Sequence, residues 1–464
     1  MVKHEPFKYR TAGQLLEKAE ELGVELPFQE DISPLLQPLR IGPKTVPNRL
    51  VVQPMEGCDS EPDGSPGELT FRRYQRFAAG GSGMIWFEAV SVSQDGRSNL
   101  RQLMLNRTTI DGFKRLVDDT RESARREFGG VHESFLVIQL THSGRFSKPD
   151  GAPLNRAAYF NPYLDRNKPD LTVFTDAELT EILEKLVDVS NLAYRAGFDA
   201  VDVKACHGYL VHELLSAHTR KDSIYGGNFE NRTGMLLEAV KRIHHSCHLR
   251  RGGSAYIGQE LDEVVAVRLN ATDGIPYPYG FGVKPDGSAS VDLTEPRLLI
   301  KRLIDKGCSL LNVTAGIPTH SPQMVRPFNK PVSGASLPDE HPLQSVARLI
   351  NITAELQHEY PVLPMVGSGY SWLSRFFPQV GAAVVTQGKA SLIGLGRSSI
   401  AYPDAPKDLM RTGRLDPKKT CIACSRCSEL MKNQQYTGCA VRDREIYGRL
   451  YNNLGTIRER TKKG

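Results

Sequence analysis

From Leu50 onward, short apolar runs recur between stretches whose apolar residues are spaced three and four apart. The runs at 50–53, 83–88, 135–140, 200–203, 264–269, 310–313, 362–366 and 391–394 have the pattern of parallel strands covered on both faces. Helical patterns at 176–196, 230–245 and 295–306 fall between them. Eight such units over about 360 residues predict an α/β protein of the (β/α)8 TIM-barrel class. An open doubly wound sheet is the alternative, but no strand runs into G-x-G-x-x-G, so no nicotinamide-binding Rossmann unit is visible. Ahead of the barrel, residues 11–25 set Leu15, Leu16, Ala19 and Leu22 on one helical face, with Gly23 near its stop and Pro27 and Pro34 beyond. The chain thus divides into an N-terminal extension (1–34), a barrel (35–400) and a C-terminal segment (401–464) that is Pro- and Lys-rich before its cysteines.

Composition changes this picture little. A hydrophobic content of 40% over 464 residues supports a large core, and a net charge of +6 without a Lys/Arg block argues against nucleic acid or a polybasic membrane role. The opening MVKHEPFKYR has no apolar stretch, and no run approaches the roughly 20 apolar residues of a spanning helix, so a cytoplasmic protein is expected. Of the eight cysteines, Cys58, Cys206, Cys247 and Cys308 are scattered and read as ordinary thiols. The other four form Cys421-x2-Cys424-x2-Cys427-x11-Cys439, a spacing that encloses either zinc or a [4Fe–4S] cube; spacing alone leaves both open.

A barrel's chemistry sits where strands end. Strand four runs into Lys204, His207 and Tyr209, a cation, an imidazole and a phenol that together can bind an anionic oxygen and deliver a proton; pairing and packing roles are the plainer alternative. Arg268 lies inside strand five, where a charge is costly unless an anion meets it, a structural ion pair being the other reading. Strands seven and eight end in Gly367-Ser368-Gly369 and Gly394-Leu395-Gly396-Arg397, glycine turns at the two loops where barrels commonly bind phosphate.

QLTHSGR at 139–145, AGFDAVDVKACHGYLVHELLSAHTRKDSIYGGNFENR at 196–232 and LIGLGR at 392–397 resemble the Old Yellow Enzyme family, in particular its branch with 2,4-dienoyl-CoA reductase and trimethylamine dehydrogenase. The resemblance covers about residues 33–445. It implies a non-covalent FMN across the barrel mouth, with Gln139 on the flavin pyrimidine, Arg268 near its N1–C2 carbonyl, the Pro54, Met55 and Ala89 backbones at the ring edge, and Gly367, Ser368, Gly396 and Arg397 at the phosphate. Tyr209 matches the family's proton donor and His207 its second substrate-binding position. Lys204 departs from the family's usual His, and Glu56 stands where Thr or Cys is frequent; a carboxylate there would disfavour the anionic reduced flavin, so Glu56 is expected to turn away. His320 lies near an additional acid of the dienoyl-CoA reductases, a surface-loop histidine being the alternative. The branch also implies [4Fe–4S] at Cys421, Cys424, Cys427 and Cys439, with zinc as the other occupant; Cys58 sits two residues late for trimethylamine dehydrogenase's flavin attachment.

The expected activity is an ene-reductase: hydride from reduced FMN to an activated C=C bond of a small unsaturated substrate, Tyr209 protonating, Lys204 and His207 polarising the carbonyl. Branch members usually continue into FAD- and NAD(P)H-binding domains, whereas this chain stops at Gly464, so a ferredoxin, flavoprotein or NADH-oxidising subunit is expected to supply electrons through the cluster, and the chain is expected to form a homo-oligomer. An oxidative dehydrogenase or demethylase, and a non-catalytic electron-transfer subunit, are the alternatives; a pure relay would not need the proton donor.

Overall fold

Eight parallel strands pair in chain order: β1 (Leu50–Val52), β2 (Met84–Ser91), β3 (Phe135–Thr141), β4 (Ala200–Ala205), β5 (Val264–Asn270), β6 (Cys308–Thr314), β7 (Met365–Gly367) and β8 (Leu392–Leu395). β8 returns to β1 with Ile393 opposite Leu50, closing the barrel. The computed structural model describes residues 3–250 and 263–454, the side chains of 247–250 (Cys247 among them) excepted. Helices α1 (Glu68–Ala79), α2 (Ile110–Phe128), α3 (Asp176–Arg195), α4 (Phe229–Arg250), α5 (Thr294–Asp305), α6 (Pro342–Glu359) and α7 (Phe377–Thr386) follow β1 to β7 in turn. None of the described helices is long and apolar enough to cross a membrane.

Alternation along the strands sorts their side chains. Val51, Met84, Trp86, Phe135, Val137, Ala200, Val264, Ala266, Leu310, Val366 and Leu392 form one cluster that also takes in Ile41 and Val46 from a hairpin, Leu39–Ile41 with Lys44–Val46. The alternate residues, among them Ile85, Phe87, Leu136, Ile138, Val201 and Val265, pack with the helices instead. Two steps further along the first set the residues become polar: Gln139 after Val137, Asp202 and Lys204 after Ala200, Arg268 after Ala266, Asn312 after Leu310. Lys204, Arg268 and Asn312 are neighbours in register. The barrel is therefore apolar at the strands' N-terminal ends and polar where the strands finish.

β2 breaks the alternation once. Phe87 pairs with Ile138 and Ala89 with Gln139, so Glu88 is an extra residue in a bulge. Its carboxylate turns towards α1, where it accepts from Arg73 (2.8 Å), Tyr74 OH (3.2 Å) and Gly57 N–H (2.7 Å). Arg73 also pairs with Asp59 and donates to Thr437 O at 3.0 Å, while Thr437 N–H donates to Gly57 O at 2.7 Å. These bonds fasten the C-terminal segment across the loop after β1, and Asn329, after β6, holds it on the other side through Ile422 O and Ala423 O.

The N-terminal helix is Ala12–Glu21, capped by Thr11 and Gln14; its buried Leu15 and Ala19 share a cluster with Tyr9, Trp372, Phe376 and Phe377. β7 begins three residues later than expected, at Met365: Val362 lies in a proline-flanked turn and is 88% exposed.

Removing Arg73 would leave Asp59 and Glu88 buried without a counter-charge. Arg73→Met is expected to lower unfolding free energy by about 3–5 kcal/mol, the usual result of breaking a buried pair, read from the urea midpoint. Burial raises the Glu88 carboxyl from 4.5 to about 7 even with Arg73 acting against it, so without Arg73 it rises further, and the extra loss relative to wild type should deepen as pH rises above that value. A midpoint unchanged across that pH range would refute the account.

Candidate functional site

The polar strand ends converge on one cleft. Pro54, Met55 and Glu56 line it from the turn after β1, Ala89 from β2, Gln139 from β3, and Lys204, His207 and Tyr209 from β4 and its turn. Arg268 of β5, Ser368 and Gly369 after β7, and Gly396 and Arg397 after β8 complete the wall. Ala89 faces the cleft because the bulge takes Glu88 away from it. Gly367 closes β7 one residue behind this wall.

Asp202 sits beneath these groups. It accepts from Trp86 Nε1 (2.8 Å), Gln139 Nε2 (2.6 Å) and the Arg268 backbone N–H (2.6 Å), and burial holds its carboxyl up at about 6. With its amide nitrogen committed to Asp202, Gln139 presents an amide oxygen, a hydrogen-bond acceptor for a ring N–H. Arg268 makes no ion pair among the described residues, and its buried Nε has no hydrogen-bond partner. Burial lowers its pKa, the sign of a cation short of negative charge. These donors and acceptors fit the pyrimidine edge of a flavin.

The turn after β4 is strained in a useful direction. His207 (φ +63°) and Gly208 (φ +79°) are left-handed, and the Gly208 N–H is caught by His212 Nδ1 at 2.8 Å, itself fixed by Asp273 at 2.7 Å. This sets His207 and Tyr209 against Lys204. Burial, Arg268 and Lys204 push His207 well below its usual range, leaving a neutral imidazole. The Lys204 ammonium lies 3.2 Å from the centre of the Tyr209 ring and 3.7 Å from Glu56 Oε1. Burial lowers its pKa, against which Glu56 acts. Contrary to the expectation that it turns away, Glu56 faces the cleft: Oε1 accepts from Tyr209 OH at 2.5 Å and Oε2 from Ser98 OH at 2.8 Å. Burial, then Glu56, hold Tyr209 well above its ordinary 10.

At the other end, Gly394 is required by space: a Cβ there would lie 1.9 Å from Gln53 Nε2, whose amide spans to Asn312 and Ser368. Arg397 donates through Nη2 to Pro327 O and leaves a buried Nη1 without a partner. Beside it stands Arg326, which the sequence reading missed; an isolated arginine in an irregular loop carries no periodic signal. Burial and the neighbouring Arg397 push Arg326 down to about 10. Two guanidiniums facing each other without a carboxylate among the described residues need an anion, and a phosphate fits them.

His320 does not reach the cleft, which Pro318 lines instead; its ring meets Tyr163 edge-on at 6.0 Å. Cys58 is fully buried beside Glu56, Glu88 and Asp59 and stays outside the cleft wall, its thiol raised by burial and those carboxylates.

Cys421, Cys424, Cys427 and Cys439 line a second, smaller pocket. Arg397, Ile400 and Cys427 line both pockets, so the two share a wall. Burial raises Cys421 to about 12 and also raises Cys427 and Cys439, while Arg397 opposes it at Cys421 and Cys427. Among the described residues no three such ligands are drawn into a ready metal-binding group. The donor set, four thiols with Arg397, Arg426 and Arg442 on the same wall, suits a thiolate-bound centre whose arrival would displace the protons.

A model of the NADH:flavin oxidoreductase / NADH oxidase family matches residues 34–274. The chain is 26% identical to an NADH oxidase of Thermoanaerobacter brockii over 395 residues, which cover 83% of this chain and 52% of that protein. In structure it is similar to 2-naphthoyl-CoA reductase in complex with 2-naphthoyl-CoA (TM-score 0.68, 19% identity, 89% of this chain and 57% of that one). It is also similar to the old yellow enzyme homologue from Zymomonas mobilis (TM-score 0.57, 20% identity, 83% and 94%). The chain thus spans about half the length of the first two. With a closed eight-stranded barrel whose mouth carries buried, unpaired donors that fit a flavin and its phosphate, this chain belongs to the NADH:flavin oxidoreductase / NADH oxidase family.

Proposed function

We propose that the chain is an ene-reductase acting on a C=C bond conjugated to a carbonyl or thioester. The observation that carries this reading is the placing of a phenol (Tyr209), a buried ammonium (Lys204) and a neutral imidazole (His207) on the same cleft as Gln139 and the orphaned Arg268. A relay that only passed electrons would have no use for a proton donor there.

Gln139 and Arg268 would hold the pyrimidine edge of FMN, the Pro54, Met55 and Ala89 backbones its near side, and Ser368, Gly396, Arg397 and Arg326 its phosphate. FMN, when bound, supplies the hydride. Lys204 and His207 bind the substrate's carbonyl oxygen and draw charge onto it, while Tyr209 gives its proton to the α-carbon. Cys421, Cys424, Cys427 and Cys439 would hold a [4Fe–4S] cluster in the adjoining pocket, and an external one-electron donor would feed it. The 2-naphthoyl-CoA complex of a structural neighbour is consistent with a thioester substrate, at the level of fold.

FMN should be released by acid or heat, because Cys58 lies outside the cleft wall; yellow colour persisting on the precipitate would contradict non-covalent binding. Cys424→Ala should abolish the broad visible absorbance of thiolate–iron charge transfer in anaerobically purified protein, and zinc without iron in the wild type would rule out the cluster. Tyr209→Phe should slow reoxidation of pre-reduced enzyme by an enone or enoyl thioester about 10²–10⁴-fold, leaving flavin reduction by dithionite nearly intact. Equal stopped-flow reoxidation of both proteins, with an alkene the wild type reduces, would remove Tyr209 from the donor role.

A further inference from the structure

Of the four cations that line the cleft, Arg268 meets the pyrimidine edge and Arg326 and Arg397 the phosphate in the reading above, and His207 is neutral, so Lys204 is the charge left to face a substrate. A buried ammonium with nothing beside it would make that corner an anion site. Glu56 prevents this. Its Oε1 stands 3.7 Å from the Lys204 ammonium and accepts the Tyr209 hydroxyl at 2.5 Å, while Oε2 accepts the Ser98 hydroxyl at 2.8 Å, the surroundings of an ionised carboxylate. Ser98 is itself fixed. Its Oγ accepts from Asn99 Nδ2 at 3.1 Å, which leaves the hydroxyl hydrogen for Glu56, and its N–H donates to Gln102 Oε1 at 2.6 Å. Gln102 Nε2 donates in turn to Ala89 O at 2.9 Å, so the loop that holds Glu56 hangs on β2, which forms part of the cleft wall. At 5% and 11% side-chain exposure Lys204 and Glu56 are nearly withdrawn from water, and their charges act on each other and on a ligand with little screening.

We propose that Glu56 is a specificity-determining residue: it cancels the charge of Lys204 and so restricts the site to neutral conjugated carbonyls (ketone, ester or thioester) against free α,β-unsaturated carboxylates. The inference rests on the ene-reductase reading, which puts the substrate's carbonyl against Lys204 and His207. At 3.7 Å the ammonium and the carboxylate attract each other without sharing a hydrogen bond, so Glu56 does not consume the Lys204 N–H donors that a carbonyl oxygen needs. A neutral carbonyl asks for those donors and for no net charge. A carboxylate arriving at the same place would compete with Glu56 for Lys204 and would meet a like charge beside it, and both effects oppose binding. The two residues work only as a pair. Lys204 without Glu56 would favour the acid, and Glu56 without Lys204 would be a buried negative charge without a cation in ion-pair range among the described residues.

The test uses two ligands of nearly the same shape, cinnamate and the neutral methyl ketone benzylideneacetone, titrated calorimetrically into the oxidised, FMN-loaded protein, where neither is reduced. Wild type should bind the ketone at least about tenfold more tightly than the acid. Glu56→Gln should tighten cinnamate at least about tenfold and change the ketone less, a factor that removal of one like charge supplies at this burial. Glu56→Thr, shorter and also neutral, should show the same gain, so the readout does not depend on one variant folding, and Glu56→Asp should keep the discrimination. In Glu56→Gln combined with Lys204→Met the gain should vanish, because the ammonium is what the acid pairs with. Equal affinity of wild type for the two ligands, an equal change of both in the neutral variants, or a gain that survives the loss of Lys204 would overturn the proposal. So would binding of neither ligand to any of these proteins. If pre-reduced wild type is not reoxidised by benzylideneacetone or by an enoyl thioester while the cinnamate gain is seen, the ene-reductase reading fails and the charge rule at Lys204 stands.

Discussion

Burying a guanidinium or ammonium is expensive unless negative charge or a full set of acceptors meets it. Lys204, Arg268, Arg326 and Arg397 line one cleft, and among the described residues Glu56 is the carboxylate within ion-pair range of any of them, reaching Lys204 alone. The barrel beneath tolerates this concentration of positive charge because it is otherwise rigid and filled: a hairpin and an apolar layer occupy one end, and Asp202 ties Trp86, Gln139 and the β5 backbone together just below the cations. What remains uncompensated is directed at the space between the strand ends. The site is an electrostatic deficit held open by the packing around it, and an electron-accepting ring with a dianionic phosphate tail would reduce that deficit.

The second pocket belongs to the same system. Arg397 turns one edge to the cleft and works against the burial that raises Cys421 and Cys427, so the cation that suits a phosphate also acts on the thiols next door. Arg73 provides the mechanical link, since its guanidinium joins the β2 bulge, the loop bearing Asp59 and the carbonyl of Thr437 within one buried network. The cysteine segment is therefore positioned by the same residues that draw Glu88 away from the cleft.

Much of this was legible in the chain. Apolar runs located all eight strands, because strands buried on both faces cannot hide their composition, and the ends differ by a few residues where prolines or polar cleft residues interrupt it. Gln139, Lys204, Arg268, Ser368, Gly396 and Arg397 all come to the cleft, since strand ends in a closed barrel have nowhere else to converge. Asp202 could have been found as well: it shares strand parity with Lys204, and an acid two residues before a cleft cation in a buried strand asks for partners. Three features were not readable. The direction of Glu56 depends on a tyrosine 153 positions away; Arg326 lies in an irregular loop; and the shared wall of the two pockets arises only when segment 401–454 folds back over the mouth.

The bulge in β2 makes the barrel sensitive to length at one place. Ala89 reaches the cleft only because Glu88 is supernumerary, so deleting a single residue between 87 and 89 would restore strict alternation. Ala89 would keep its place on the cleft, but Arg73, Tyr74 and the Gly57 N–H would lose the carboxylate they share, and Arg73, which holds Thr437, would keep Asp59 alone as its counter-charge. Among descendants of this sequence, substitutions along β2 are limited by burial on both faces, Ile85 and Phe87 packing against the helices. Insertions and deletions there should be nearly absent, so chain length in this strand is a more faithful marker of retained flavin chemistry than the identity of any residue in it.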